Sequence, residues 1–475
     1  MNLRQIAPLS VSVAISLLFF TQSVVAYEFT MLASTETRSD QTGWSGSPIT
    51  SDDDGNLYYA FMNPANMIEV GKRTESTGLI EKRQIAPLKV ANDPHMMLAI
   101  AIDLNGYLHV IGPHHQNEMD YLVSNTPYSV TGGFTRQVAN SNNLIRGLNV
   151  GETKSNGERA ISYPSFFYDN NFNPIINFRF RVSNDGFKRQ TQAAQMARYN
   201  SNTGLWEHFG GNQNPQYEPT VAISLPSPKI PAFIWSTQTK TNAIDDAYQA
   251  WGDRQHVDKN GRIHVAYKHF DGGPSLNAGG YGTDIIYFYS DDNGQTWRTA
   301  DGSAIADSPI VVPSGPNANM YVRPNNHEFH YAYVSSGLAA DGNPVVAYTS
   351  KQGTPSFRFS KWNGSRWIET NTGFRADGGD LKIDTNGTWY VAANTAVRVS
   401  TNDGQSWRSY SHGLPSSSRA TRVDERYFKK TNKLRFVVRP AGDNTATFVE
   451  FVSDEWQPTA GSNEARPMPP QLALQ

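Results

Sequence analysis

Four of the chain's eleven histidines, His95, His109, His114 and His115, lie between Asn92 and Tyr121. Imidazole titrates nearer neutrality than any other side chain, so a cluster of it suits proton transfer or metal binding. His109 falls inside an apolar run, Tyr107-Leu108-His109-Val110-Ile111, and reads first as a half-buried strand residue. His95 and His115 flank strand ends, where a rigid sheet presents its loops, and are the better candidates for chemistry. Further on, Ser162-Tyr163-Pro164 sets a phenol at the start of a strand. Asn177-Phe178-Arg179-Phe180-Arg181 then places two guanidinium groups two residues apart, hence on one strand face. Such a pair suits a carboxylate or a sulfate, with a salt bridge or a solvated edge as the plain alternative.

These residues need a scaffold that gathers distant segments, and the chain repeats a unit that can supply one. An Asp-x-x-Gly-type turn followed at once by an apolar strand recurs at 52–55, 103–106, 169–172, 258–261, 341–343, 384–387 and 431–433, the third and last being looser copies. Asp and Gly make the tight turn, and the following strands are rich in β-branched and aromatic residues. Ser290-Asp291-Asp292-Asn293-Gly294-Gln295-Thr296-Trp297 is a full Asp-box, and Ser400-Thr401-Asn402-Asp403-Gly404-Gln405-Ser406-Trp407 is a near copy. The box is a turn clamp with a tryptophan packed beneath, so its role is structural. Together these signals predict an all-β, seven-bladed β-propeller with Asp-box (BNR-type) repeats and no helix in the mature chain. Inner strands of such a ring end around one shallow cavity, where residues far apart in sequence can meet.

Asn92-Asp93-Pro94-His95, Gly106-Tyr107-Leu108-His109, Gly112-Pro113-His114-His115, Ser162-Tyr163-Pro164 and Phe178-Arg179-Phe180-Arg181 together resemble the ulvan lyases, propeller polysaccharide lyases of family twenty-five and, more distantly, family twenty-four. The resemblance spans most of the mature chain and is most specific between His95 and Arg181. It implies a secreted enzyme that cuts the sulfated algal polysaccharide ulvan by β-elimination at a uronate. It also implies a catalytic set of His95, His115, Tyr163 and one arginine. The interval from Tyr163 favours Arg179 as the group that neutralises the uronate, whereas the Phe-x-Arg-x-Ser pattern favours Arg181. Arg181, His114 and Asn117 are then expected to bind substrate, with Lys268 and His269 at the comparable place in the fourth repeat. No cofactor is needed for the reaction. Family members carry a structural metal site that can include a cysteine. With no cysteine here, a zinc or calcium site would have to be rebuilt, with His208, His256, His264, His269, His327 and His330 as unassigned candidates.

Composition narrows the alternatives. The formal net charge of −2 gives no basic excess for a nucleic-acid partner. Residues 1–26 read as a signal peptide: Arg4, an apolar run too short to span a bilayer, then Val24-Val25-Ala26. The expected product is an exported monomer that does not sit in a membrane, with one catalytic domain at 27–460 and a tail at 461–475. A sialidase-like hydrolase would need an Arg-Ile-Pro segment near the mature N-terminus, and only Val322-Arg323-Pro324 comes near it. A non-catalytic sugar-binding propeller would repeat one pocket in every blade, whereas the His and Arg signals sit in the second and third repeats.

Overall fold

The computed structural model describes residues 27–38, 46–86, 97–117, 119–138, 145–148, 161–182, 191–209, 234–236, 246–248, 255–271, 282–305, 310–312, 320–323, 331–350, 356–375, 378–393, 395–414, 422–439 and 444–453. Residues 29–451 form one compact unit; residues 1–28 and 452–475 form another, of which four residues are described. The signal peptide and tail expected from the sequence lie outside the described residues.

Among the described residues the strands form seven blades, as the repeats predict: four are separate four-stranded sheets, and the second, third and fourth are joined in one seventeen-stranded sheet. The first strands of the blades are Ile49–Ser51, Met97–Ile102, Ile161–Tyr168, His256–Val257, Tyr331–Leu338, Asp380–Ile383 and Arg422–Val423. The seventh blade takes its outermost strand, Tyr27–Glu36, from the N-terminal side of the chain. Apolar side chains pack between neighbouring blades. Ala101, Tyr121, Phe166 and Trp206 join the second blade to the third, and Tyr267, Ile286 and Trp297 join the third to the fourth. Each large side chain so buried contributes roughly 1.5–3 kcal/mol, which is how a chain without disulfides holds this ring.

The repeated turn explains why these segments fold alike. Asp52 Oδ1 accepts from the backbone N–H groups of Asp54 and Asn56 at 3.0 and 2.9 Å, and Gly55 takes φ +80°. Asp103, Asp169, Asp258 and Asp384 repeat the same pair of bonds. The other carboxylate oxygen reaches the residue six places on: Tyr58 at 2.9 Å, His109 at 3.3 Å, His264 at 3.3 Å and Tyr390 at 3.1 Å. His109 is therefore a core residue, as the plain reading expected. Its Nδ1 lies 2.6 Å from the Tyr121 hydroxyl, and His264 makes the same contact with Tyr287.

Two expectations are corrected. The chain does contain a helix, Glu425–Thr431, capped at its start by Asp424, whose side chain accepts from the Tyr427 N–H. What reads as a seventh turn at 431–433 is this helix's C-terminal end, with Asn432 at φ +58°. The helix stands where other blades have a short turn, because Asp424 N–H bonds to Arg435 O across it. In the fifth blade the turn begins at Ala339, one residue pair ahead of Asp341, so no carboxylate clamps it from that position.

Candidate active site

The first strand of the third blade lies between two others at its upper end. Ser162 is paired to Arg179 in its own blade and to His115 in the second strand of the preceding blade. The register then jumps between Ser162 and Ser165, and Tyr163 sits in that break at φ +56°. A non-glycine residue with positive φ is strained, and such strain collects at functional sites. The kink turns the Tyr163 ring under the Arg179 guanidinium, whose Cζ is 4.3 Å from the ring centroid. Both side chains are nearly enclosed, at 2% and 5% exposure.

Strand alternation positions the arginine. Ile176 and Phe178 face the core shared with the second blade, while Ile175 faces the core shared with the fourth. Asn177 and Arg179 share the face of Ile175. Asn177 Oδ1 accepts from the Tyr267 hydroxyl at 2.7 Å, and its Nδ2 has no partner among the described residues. The sequence reading gave Asn177 no role, although its spacing of two from Arg179 marks the shared face.

The other expected residues are placed unevenly. His95 lies outside the described residues. The strands bearing His114, His115, Asn117, Arg181 and His269 are described, but those five side chains lie outside the described residues. His114 is paired with Met97, and the register of this pair of strands shifts just beyond, between Met97 and Ala99. Gly112, at φ +133°, allows the bend: a Cβ there would lie 2.5 Å from the Met97 carbonyl oxygen. Lys268 is fully buried, paired with Tyr248 and Ile285, so its ammonium lies beneath the surface.

Among the described residues, His208, His256 and His264 do not come together as a metal site. His208 Nδ1 is 2.8 Å from Gln195 Nε2, and both nitrogens of His264 are engaged by Tyr287 and Asp258. His256 packs its ring against His264 at 5.7 Å between centroids. Among the described residues no group of three His, Asp or Glu side chains could hold a metal ion. His327 and His330 lie outside the described residues.

At the opposite end of the ring, the turns of four blades and the helix line a cavity of about 530 Å³. Its walls include Asp258, Ala339, Asp384 and Lys429. The Lys429 amine donates to the Val257 carbonyl at 2.7 Å, and burial lowers its pKa to about 8. This end carries the turns and the helix, and the Tyr163–Arg179 pair lies at the other.

Comparison with known proteins agrees with this architecture. A family model described as a BNR repeat-containing family member matches residues 56–374. A solved ulvan lyase of a new family of polysaccharide lyase, PL25, bound to GlcA(1-4)Rha3S, is similar with a TM-score of 0.60 at 14% identity, covering 88% of this chain and 94% of that one. A second structure of a PL25 ulvan lyase gives 0.57 at 14% identity over the same shares. The polysaccharide lyase Uly1 gives 0.53 at 12% identity, covering 86% of this chain and 90% of that one. At these identities the likeness is one of fold. No curated protein matches the chain in sequence.

Proposed function

This chain belongs to the BNR repeat-containing family, and from that premise we propose that it is a polysaccharide lyase, exported by its leader and acting as a monomer on ulvan. The observation that carries the reading is the Arg179 guanidinium stacked on Tyr163, with the His115 backbone paired to Ser162 beside them. The PL25 structures, whose names say ulvan lyase, share the scaffold that brings these segments together.

β-Elimination at a uronate removes the proton on C5, which is weakly acidic because the neighbouring carboxylate is already negative. Arg179 bonds that carboxylate and opposes the charge that grows on it as C5 loses its proton; one well-placed donor of this kind contributes about 3–4 kcal/mol. His95 and Tyr163 carry the two proton transfers, one taking the C5 proton and one giving a proton to O4 as the C4–O4 bond breaks. His115 orients the carboxylate or the phenol. Arg181, His114, Asn117 and His269 hold neighbouring sugars and sulfates, and the buried Lys268 contributes its charge from beneath the surface. Side chains alone supply these steps, and the product carries a C4–C5 double bond on its new non-reducing end.

The test is ultraviolet absorbance during incubation of the mature protein with ulvan. A signal that rises for the parent protein and is lost in Tyr163→Phe supports the assignment. New reducing ends without absorbance would make the protein a hydrolase, and binding without any product would make it a lectin.

A further inference from the structure

The break that holds Tyr163 recurs around the ring. Its anchor is the residue whose N–H closes the turn at the far end of the same strand: Asp52, Asp169, Ala339 and Asp384 in the first, third, fifth and sixth blades. Six residues before each anchor stands a residue of positive φ: Gly46 at +93°, Tyr163 at +56°, Tyr333 at +57° and Gly378 at +72°. Two blades place glycine there, which adopts this conformation without strain. The other two keep a tyrosine and carry the strain. The register jump is repeated as well, between Ala332 and Ser335 in the fifth blade as between Ser162 and Ser165 in the third. Both tyrosines are nearly enclosed, Tyr333 at 4%, and neither belongs to the apolar clusters that join the blades described above.

Direction follows from the turns. The turns after the third and fifth blades' first strands line the cavity at one end of the ring. Six residues of strand span about 20 Å, so Tyr163 and Tyr333 stand at the opposite end, where the proposed chemistry lies. Beside Tyr333 the surroundings differ in one telling respect. Ala332 is paired with Thr349, where Ser162 is paired with Arg179. On its other flank runs the second strand of the fourth blade. Ser336 Oγ reaches the His264 carbonyl at 3.5 Å, and Val334 packs with Ala266. Counting on from these two contacts in opposite directions along the two strands, Lys268 falls level with Ala332, much as His115 lies beside Ser162.

We propose that Tyr333 is a second carbohydrate-contacting tyrosine, which with the Lys268 cation behind it holds an anionic sugar, sulfated or uronic, of the same chain that reacts at Tyr163. It rests on the lyase reading and extends it across the cavity. Threonine stands where the third blade has the arginine that neutralises the carboxylate, so this second cradle binds and does not cleave.

The experiment compares Tyr333→Phe with the parent protein on long ulvan chains and on the shortest oligosaccharides that are still cleaved. The substitution keeps the ring, so folding is retained. The expected result is a KM raised about tenfold on long chains, as for loss of one hydrogen bond to a charged group. On the shortest substrates KM stays unchanged, with kcat within about twofold on both. An unchanged KM on long chains, or the same rise on both substrates, overturns the proposal while leaving the lyase reading standing. If the parent protein yields no unsaturated product, the lyase reading fails and this inference with it.

Discussion

The Cζ of Arg179 lies 4.3 Å from the centre of the Tyr163 ring, and the two residues reach each other across adjacent strands because the register breaks at Tyr163. A regular strand would send the Tyr163 side chain to the face opposite Ser162. Arg179→Lys keeps the charge but loses the planar fork that meets a carboxylate with two bonds. We expect kcat/KM to fall by about a hundredfold or more, with little change in melting temperature. Initial rates by absorbance, alongside thermal melts, check this; a rate within threefold of the parent would remove Arg179 from the neutralising role.

His109 is expected to behave differently, although it lies in the same histidine cluster. It is fully buried between Asp103 and Tyr121, so its replacement acts on the fold and not on the chemistry. His109→Ala should lower stability by about 2–4 kcal/mol, from a cavity and the loss of one buried hydrogen bond each at Asp103 and Tyr121. At low temperature the folded fraction should keep its kcat. Denaturant titration and rate measurements on the same sample distinguish the two effects.

Acid should destabilise the protein before its carboxylates protonate. Burial lowers the pKa values of His109, His208, His256 and His264, that of His208 to about 4. In the unfolded chain these groups titrate near 6.5, so below that pH the unfolded state takes up protons that the folded state refuses. Their contribution is complete above about pH 6.5 and is lost as pH falls towards the folded values; for His208 alone the loss by pH 4 is roughly 3 kcal/mol. Burial raises the pKa values of Asp424 and Glu425, which works in the opposite direction, but they are two groups against four. Chemical denaturation at pH 8, 6.5 and 5 should show stability falling slightly across the first interval and steeply across the second. Level stability down to pH 5 would contradict the neutral buried imidazoles.

Gly112 has a narrower role. A methyl group there would meet the backbone of Met97 and Leu98 at 2.5–3.0 Å, and the φ of +133° is closed to alanine. Gly112→Ala should cost about 1–3 kcal/mol and shift the strand end that bears His114 and His115. A fall in kcat larger than the loss of folded protein would be the mark of that shift.

Local chain chemistry made much of this legible in the sequence. Asp-x-x-Gly followed by an apolar strand specifies its own turn, and the residue six places after Asp52, Asp103, Asp258 and Asp384 is a histidine or tyrosine that meets the second carboxylate oxygen, whereas Asp169 meets Asn173 and Arg198 instead. The helix at Glu425–Thr431 was not legible. Seven residues cannot hold a helix alone, and this one is fixed by distant partners: Arg426 bonds to the Ser51 carbonyl and Lys429 to that of Val257. Tyr333 was hidden for a related reason. Nothing in Tyr333-Val334-Ser335 marks it until it is aligned by turn with Gly46 and Gly378, which only the three-dimensional repeat reveals. Alternation put Arg179 and Arg181 on one face, and the register break then set Arg179 at the level of the phenol.

The account stands or falls on whether the glycosidic bond is broken without water. Ulvan digested in heavy-oxygen water and analysed by mass spectrometry decides this directly. The account predicts fragments that carry no heavy oxygen from cleavage and end in an unsaturated uronate, together lighter by one water per cut than hydrolysis would leave them. Saturated fragments with heavy oxygen at the cleaved position would contradict it.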